Sequence, residues 1–162
     1  TELGRKQAER IARRLSEFYF NHVYTSTMLR ARATAEMIHV YHKEVPLSCT
    51  DDLREVSHYH FLAELMPKDK IVMEQVRKEK DSLIRFVNHI RHHHNPGEKI
   101  LIVCHGNLIR TIMPMFGGRE PAQSILMEIN NTGFSVLDTW ANGEAVLMLV
   151  NCVKHLLPKQ IS

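Results

Sequence analysis

An arginine, a carboxylate and an imidazole each stand where one element gives way to the next: Arg30, Glu55 and His105. His105 closes the apolar run Ile100–Cys104 and is followed at once by Gly106, Asn107 and a helix-like segment. In open α/β sheets, ligands bind at the carboxyl ends of the strands, so an ionisable ring there is a candidate for chemistry. The helix start beyond it disfavours a protonated imidazole unless a bound anion offsets the dipole. A core histidine bonded to backbone is the alternative. Arg30 follows the strand-like "HVYTS" by one helical turn, with Ser26 beside it. A helix start presents unpaired N–H groups and the positive end of a dipole, which suits an anion. An arginine there can offer a two-pronged fork to an oxyanion, or it can be an ordinary solvated helix residue. Glu55, in "DDLRE", lies on an extended segment leaving the sheet on the same side. A carboxyl serves as a general acid where burial raises its pKa; otherwise it is a loop carboxylate.

The elements that must position these groups are legible as patterns. "TELGRKQAERIARRLSEF" is an amphipathic helix with Leu3, Ala8, Ile11, Ala12, Leu15 and Phe18 on one face, and Thr1 is placed to cap it. "HVYTS" is a short strand, and the Ala- and Met-rich "TMLRARATAEMIHVYHK" is a second helix. "EVPLSCTDDLRE" is extended, because Pro46 forbids helix there. Val72, Val76, Leu83, Val87 and Ile90 repeat at helical spacing and predict a long helix over about 69–94, ended by Asn95-Pro96-Gly97. The strand 100–104 and a helix over about 107–115 come next. Two strands around a turn at Asn142-Gly143 close the chain. Strands alternating with helices and a terminal hairpin imply an α/β fold with three layers: a mostly parallel sheet flanked by helices, with an antiparallel edge hairpin at the C-terminus.

Bulk properties narrow the function classes. The 162 residues, 44% hydrophobic and 24% charged, suit a single domain over 1–162. No apolar run approaches the roughly 20 residues of a membrane helix. A net charge of +3 fits a small anion better than nucleic acid, which asks for a dense basic face. The basic residues Arg5, Lys6, Arg10, Arg13 and Arg14 are interleaved with Glu9, four residues before Arg13, and read as a solvated, salt-bridged surface. Cys49, Cys104 and Cys152 are scattered and odd in number, which points to free thiols in a reducing compartment. Cys104 is either a nucleophile or, within a buried strand, a small hydrophobe. His58, His60, His89, His92, His93 and His94 raise a zinc site, but finger spacing is lacking and His92–His94 cannot all face one ion from a helix. No metal and no cofactor are expected.

Five segments in register carry a resemblance: "TELGRKQAERIARRL", "VYTSTMLRARATA", "LRE", "VCHGNLIR", and "NTGFSVLD" through "NCVKHL". Their order and spacing resemble the histidine phosphatase superfamily, also called phosphoglycerate-mutase-like, over almost the whole chain. The resemblance implies phosphomonoester hydrolysis through a phosphohistidine. It implies His105 and Glu55 as catalytic residues, the former steadying the transferring oxygens and the latter protonating the leaving oxygen and then activating water. Arg30, Ser26, Gly106 and Asn107 are implied as phosphate-binding. The family's nucleophile lies in an Arg-His-Gly motif ending a first strand, upstream of the "TELG" helix at which this sequence starts. Arg91-His92 is not followed by glycine and does not supply it. The expectation is therefore an N-terminally truncated domain lacking the first family strand, which would lie beside the strand ending at His105. Two other arrangements stay open: that strand pairs directly with 134–138, or a partner chain supplies a strand. A catalytically inactive pseudophosphatase that binds a phosphorylated ligand or protein partner is the alternative function. The partner expectations are a small phosphorylated substrate or a phosphoprotein, no nucleic acid, no membrane, and a homodimer as an open option. The expected localisation is cytoplasmic.

Overall fold

A computed structural model describes residues 1–60, 69–120, 128–140 and 142–162. Three parallel strands, β1 (His22–Ser26), β2 (Leu47–Thr50) and β3 (Ile100–Val103), form a sheet in the order β2-β1-β3. Register pairs Val23 with Leu47 and Leu101, and Thr25 with Cys49 and Val103. All three strands therefore end along one edge, and Ser26, Glu55 and His105 follow from it. β1 is central, and four of its five residues are buried.

Side chains of β3 alternate between two cores, as the two-residue strand period demands. Leu101 and Val103 pack against Ile11, Ala12 and Leu15 of α1 (Glu2–Leu15) and Ile38 of α2 (Leu29–His39). Ile100, Ile102 and Cys104 pack against Leu83, Phe86 and Val87 of α3 (Lys70–His93) and Leu108 and Ile112 of α4 (Gly106–Phe116). The helix layers thus lie on opposite faces, as the expected architecture requires.

The helix ends show what stops them. Thr1 Oγ1 accepts the Gly4 N–H at 3.1 Å, and Asp69 Oδ1 accepts the N–H groups of Ile71 and Val72, so both expected long helices start at a side-chain cap. α1 ends three residues earlier than its apolar pattern suggests; Leu3 and Phe18 stay partly exposed, while Gln7 is buried and donates to Gln160 O. α2 is shorter than the expected 27–43. Met28 is extended and gives its N–H to Ser26 Oγ, and at the other end tight turns fold His42 back so that its Nε2 meets Leu15 O at 3.1 Å.

β4 (Phe134–Thr139) and β5 (Ala145–Cys152) form the expected antiparallel hairpin. Its turn closes by the Trp140 N–H to Glu144 O and the Gly143 N–H to Trp140 O, with Gly143 at φ +85°, a conformation glycine adopts without cost. The hairpin is a separate two-stranded sheet. Direct pairing of β3 with residues 134–138, one of the arrangements left open by the sequence, does not occur: β4 pairs with β5, and among the described residues β3 pairs with β1 alone. Phe134 and Leu137 nevertheless pack against the two different cores that β3 also divides, so β4 lies in the sheet layer without joining the sheet.

Candidate active site

The strand-to-helix junctions after β1 and β3 bring Arg30 and His105 together across 75 positions of sequence. Arg30 Nε donates to His105 Nδ1 at 3.0 Å. His105 Nε2 lies 2.9 Å from Ser26 Oγ, which also accepts the Met28 N–H at 3.1 Å. A ring nitrogen that accepts from a guanidinium carries no proton, so Nε2 holds the hydrogen and donates to Ser26. His105 is 4% exposed. Its pKa is pushed down to about 4, first by burial and then by the charges of Arg30 and Arg54. The imidazole is accordingly neutral at pH 7, as its seat at the N-terminus of α4 also favours.

Glu55 completes the cluster. Its Oε1 accepts the Leu108 N–H at 3.2 Å and the Val56 N–H at 3.3 Å, and its Oε2 lies 3.7 Å from Arg30 Nη2. The Arg30 side chain is 59% exposed, so the hollow between guanidinium, carboxylate and imidazole opens to solvent. Of these four groups, Arg30 can meet a tetrahedral oxyanion by charge and N–H donation and Ser26 by its hydroxyl hydrogen, while His105 orients the guanidinium and Glu55 offers a carboxyl for proton transfer.

The remaining expected site residues stand at the rim. Gly106 opens α4 next to His105; a Cβ there would meet only the Ile129 side chain, at 3.9 Å. The side chain of Asn107 is engaged with protein: Nδ2 donates to Val56 O at 3.3 Å and Oδ1 accepts from Arg110 Nη1 at 3.0 Å. It braces the segment carrying Glu55. Arg54 escaped the sequence reading. It sits beside Glu55 in "LRE", near enough to depress His105, with Nη1 3.5 Å from Thr27 Oγ1 and 3.8 Å from Asp51.

Other candidates fall into place. Burial pushes the Cys104 thiol up to about 12, so it is a protonated core side chain. Among the described residues no group of three His, Cys, Asp or Glu side chains is arranged for a metal ion. His89 and His94 instead place Nε2 atoms 3.1 and 2.9 Å from Tyr24 Oη, and His60 Nε2 meets Glu79 at 2.9 Å. On α1, Glu9 pairs with Arg5, Lys6 with Glu2, and Arg14 with Glu17, so the basic face is partly neutralised, with Glu9 turned to Arg5 instead of Arg13. No described helix is long and apolar enough to cross a membrane.

Comparison with known proteins gives the family and the fold. The sequence profile of the histidine phosphatase superfamily (branch 1) matches residues 1–66 and 59–152. The mitochondrial serine/threonine-protein phosphatase PGAM5 of Xenopus tropicalis is 31% identical over 172 residues, covering all of this chain and 60% of its own length. The chain thus spans about three fifths of that relative. Among solved structures, Bacillus stearothermophilus YhfR superposes with a TM-score of 0.76 at 23% identity, over 96% of this chain and 85% of that one. A phosphoserine phosphatase from Entamoeba histolytica, solved with 3-phosphoglyceric acid, gives 0.72 at 22%, over 94% and 83%. The chain belongs to the histidine phosphatase superfamily.

Proposed function

We propose that this protein hydrolyses phosphate monoesters, with the ester's phosphoryl group seated on the exposed guanidinium of Arg30 beside His105 and its leaving oxygen at Glu55. The observation that carries this reading is the single cluster in which Arg30, His105, Ser26 and Glu55 meet. Arg30 neutralises charge on the phosphoryl oxygens, and His105, held neutral, orients Arg30 and donates to Ser26. Phosphoryl transfer asks mainly for such positioning and neutralisation. In the first step an imidazole nitrogen bonds to phosphorus while the ester P–O bond breaks, and the Glu55 carboxyl gives its proton to the departing oxygen. In the second, water attacks phosphorus, gives its proton to the Glu55 carboxylate, and the imidazole leaves. Inorganic phosphate is the product.

His105 does not serve as that nucleophile in this arrangement, because both its ring nitrogens are engaged. The family resemblance assigns the role to the histidine of an Arg-His-Gly strand. Among the described residues the edge of β3 away from β1 carries no strand, and β4, paired with β5, packs beside it without joining the sheet, which suits such a strand. Its end would reach the same sheet edge as Ser26 and His105. Without that imidazole the site binds a phosphorylated ligand and turns nothing over, which is the second reading. Both a phosphoprotein and a small phosphate ester are candidate substrates, since one relative is named for a protein phosphatase and one structural neighbour for a phosphoserine phosphatase.

The test is hydrolysis of p-nitrophenyl phosphate and of a phosphoserine peptide by the full-length natural protein. Turnover lost in Arg30→Ala and His105→Ala supports the enzyme. Phosphate binding without turnover supports the binding protein. Turnover indifferent to both substitutions overturns the site.

A further inference from the structure

Glu79 lies on α3, 24 positions from Glu55 and outside the cluster of reacting groups, yet it is the most heavily used acceptor near them. Its Oε2 accepts the Ser57 N–H at 3.0 Å, the Ser57 hydroxyl at 2.9 Å and His60 Nε2 at 2.9 Å. Its Oε1 accepts from Gln75 at 3.2 Å. The side chains of Glu79 and His60 are 13% and 3% exposed. Burial pushes the Glu79 pKa up, but the Ser57, Gln75 and His60 donors outweigh it and hold the carboxyl below the usual carboxylate range. An ionised, nearly buried acceptor with three donors on one oxygen is costly to disrupt.

What those donors belong to gives the arrangement its meaning. Ser57 immediately precedes, and His60 ends, the short 3-10 turn His58–His60, and Ser57 follows Glu55 and Val56 directly. Glu55 is held from the other side by the Leu108 N–H, and Val56 O by Asn107 Nδ2, both on α4. The segment 55–60 is therefore strung between two helices, with α4 fixing one end and Glu79 the other. We propose that Glu79 is a positioning residue: through Ser57 and His60 it sets where the Glu55 carboxyl stands over the Arg30–His105 pair. The inference rests on the phosphatase reading, in which Glu55 delivers the proton to the leaving oxygen.

A proton delivered to a leaving oxygen matters for a poor leaving group and little for a good one. Glu79→Ala in the full-length natural protein should lower kcat for phosphoserine at least about 10-fold and that for p-nitrophenyl phosphate by distinctly less, since only water activation by Glu55 is at stake there. Glu79→Gln, which keeps an oxygen acceptor, should recover part of the loss. Glu55→Ala should lower turnover of both esters, since Glu55 also takes the proton of the attacking water, with the larger loss on phosphoserine, and the double variant Glu55→Ala/Glu79→Ala should lose no more than Glu55→Ala alone. In parallel, hydrogen exchange at the Leu108 amide, the partner of Glu55 Oε1, should accelerate in Glu79→Ala while neighbouring α4 amides keep their protection. Equal losses on both esters, additive losses in the double variant, or unchanged Leu108 exchange would each overturn the proposal. Failure of the wild type on both esters would instead overturn the phosphatase reading and the catalytic half of this proposal with it, Leu108 exchange still deciding the clamp.

Discussion

Arg30 Nε and His105 Nδ1 are hydrogen-bonded at 3.0 Å, a guanidinium donating to an imidazole that must therefore be unprotonated. Each group constrains the other. The imidazole fixes the plane of the guanidinium, and the guanidinium charge helps keep the imidazole neutral. A phosphate bound beside the pair would offset the guanidinium charge that the imidazole now feels. Replacing Arg30 with methionine should raise the His105 pKa from about 4 while leaving it below 6.5, because burial, the larger cause, persists. The same variant should weaken inorganic phosphate binding by about 10- to 100-fold, the worth of a charge-assisted bond. Imidazole titration by NMR and calorimetric phosphate binding check both halves; an unmoved His105 titration would mean that the contact is incidental.

His105 also makes folding pH-dependent. Its folded pKa, about 4, lies below the unfolded value near 6.5, so between these pH values the unfolded chain binds the extra proton. Its contribution is complete above about pH 6.5 and is lost as pH falls toward 4, at most about 3 kcal/mol. His22, His89 and His155 are shifted down as well, chiefly by burial, and act in the same direction. Urea unfolding at pH 7.5, 6 and 5 should show steadily falling midpoints, and a flat profile across that range would contradict this account.

How far the sequence disclosed all this depends on whether a residue's partner is local. Both long helices, the strand β1 and the strand β3 are visible as periodicities, and Thr1 and Asp69 cap where their residue types suggest. Arg30, Ser26 and His105 could be singled out because each occupies a strand-to-helix junction, and parallel strands bring such junctions to one edge. The end of α2 was not legible, since it is set by His42 turning back to Leu15, a contact 27 positions apart. Glu79 and Arg54 were equally silent. A carboxylate on a charged helix looks solvated until tertiary packing puts Ser57 and His60 against it. Of the histidines that suggested a metal, His60, His89 and His94 meet Glu79, Tyr24 and Glu98, and His92 and His93 meet the carbonyls of Asn88 and His89.

Tyr24 deserves a test for that reason. Its hydroxyl, on the central strand, lies 3.1 Å from His89 Nε2 and 2.9 Å from His94 Nε2, at the C-terminal end of α3. One hydroxyl donates a single hydrogen, so one imidazole accepts from it and the other donates to it. His94 Nδ1 meets Glu98 Oε2 at 2.6 Å and donates to that carboxylate, which fixes the ring against Tyr24. Tyr24→Phe should cost about 1–3 kcal/mol by stranding two ring nitrogens. Amide exchange should rise in the last turn of α3 before it rises elsewhere. Equal stability of Tyr24→Phe and wild type would show that water replaces the hydroxyl freely.

The three cysteines should separate cleanly by chemistry. Cys49 is exposed on β2, whereas Cys104 is half-buried at the end of β3, its thiol pushed up to about 12 by desolvation. The thiolate is the reactive species, so at pH 8 the fraction available at Cys104 is on the order of 10⁻⁴. Iodoacetamide under native conditions should label Cys49 first and leave Cys104 unmodified until the protein is unfolded. Cys104→Ala should retain phosphatase turnover, with a modest loss of stability from the small cavity beside Leu108. Rapid native alkylation of Cys104 that tracks loss of turnover would place a thiolate in the site and displace the imidazole chemistry argued from Arg30 and His105.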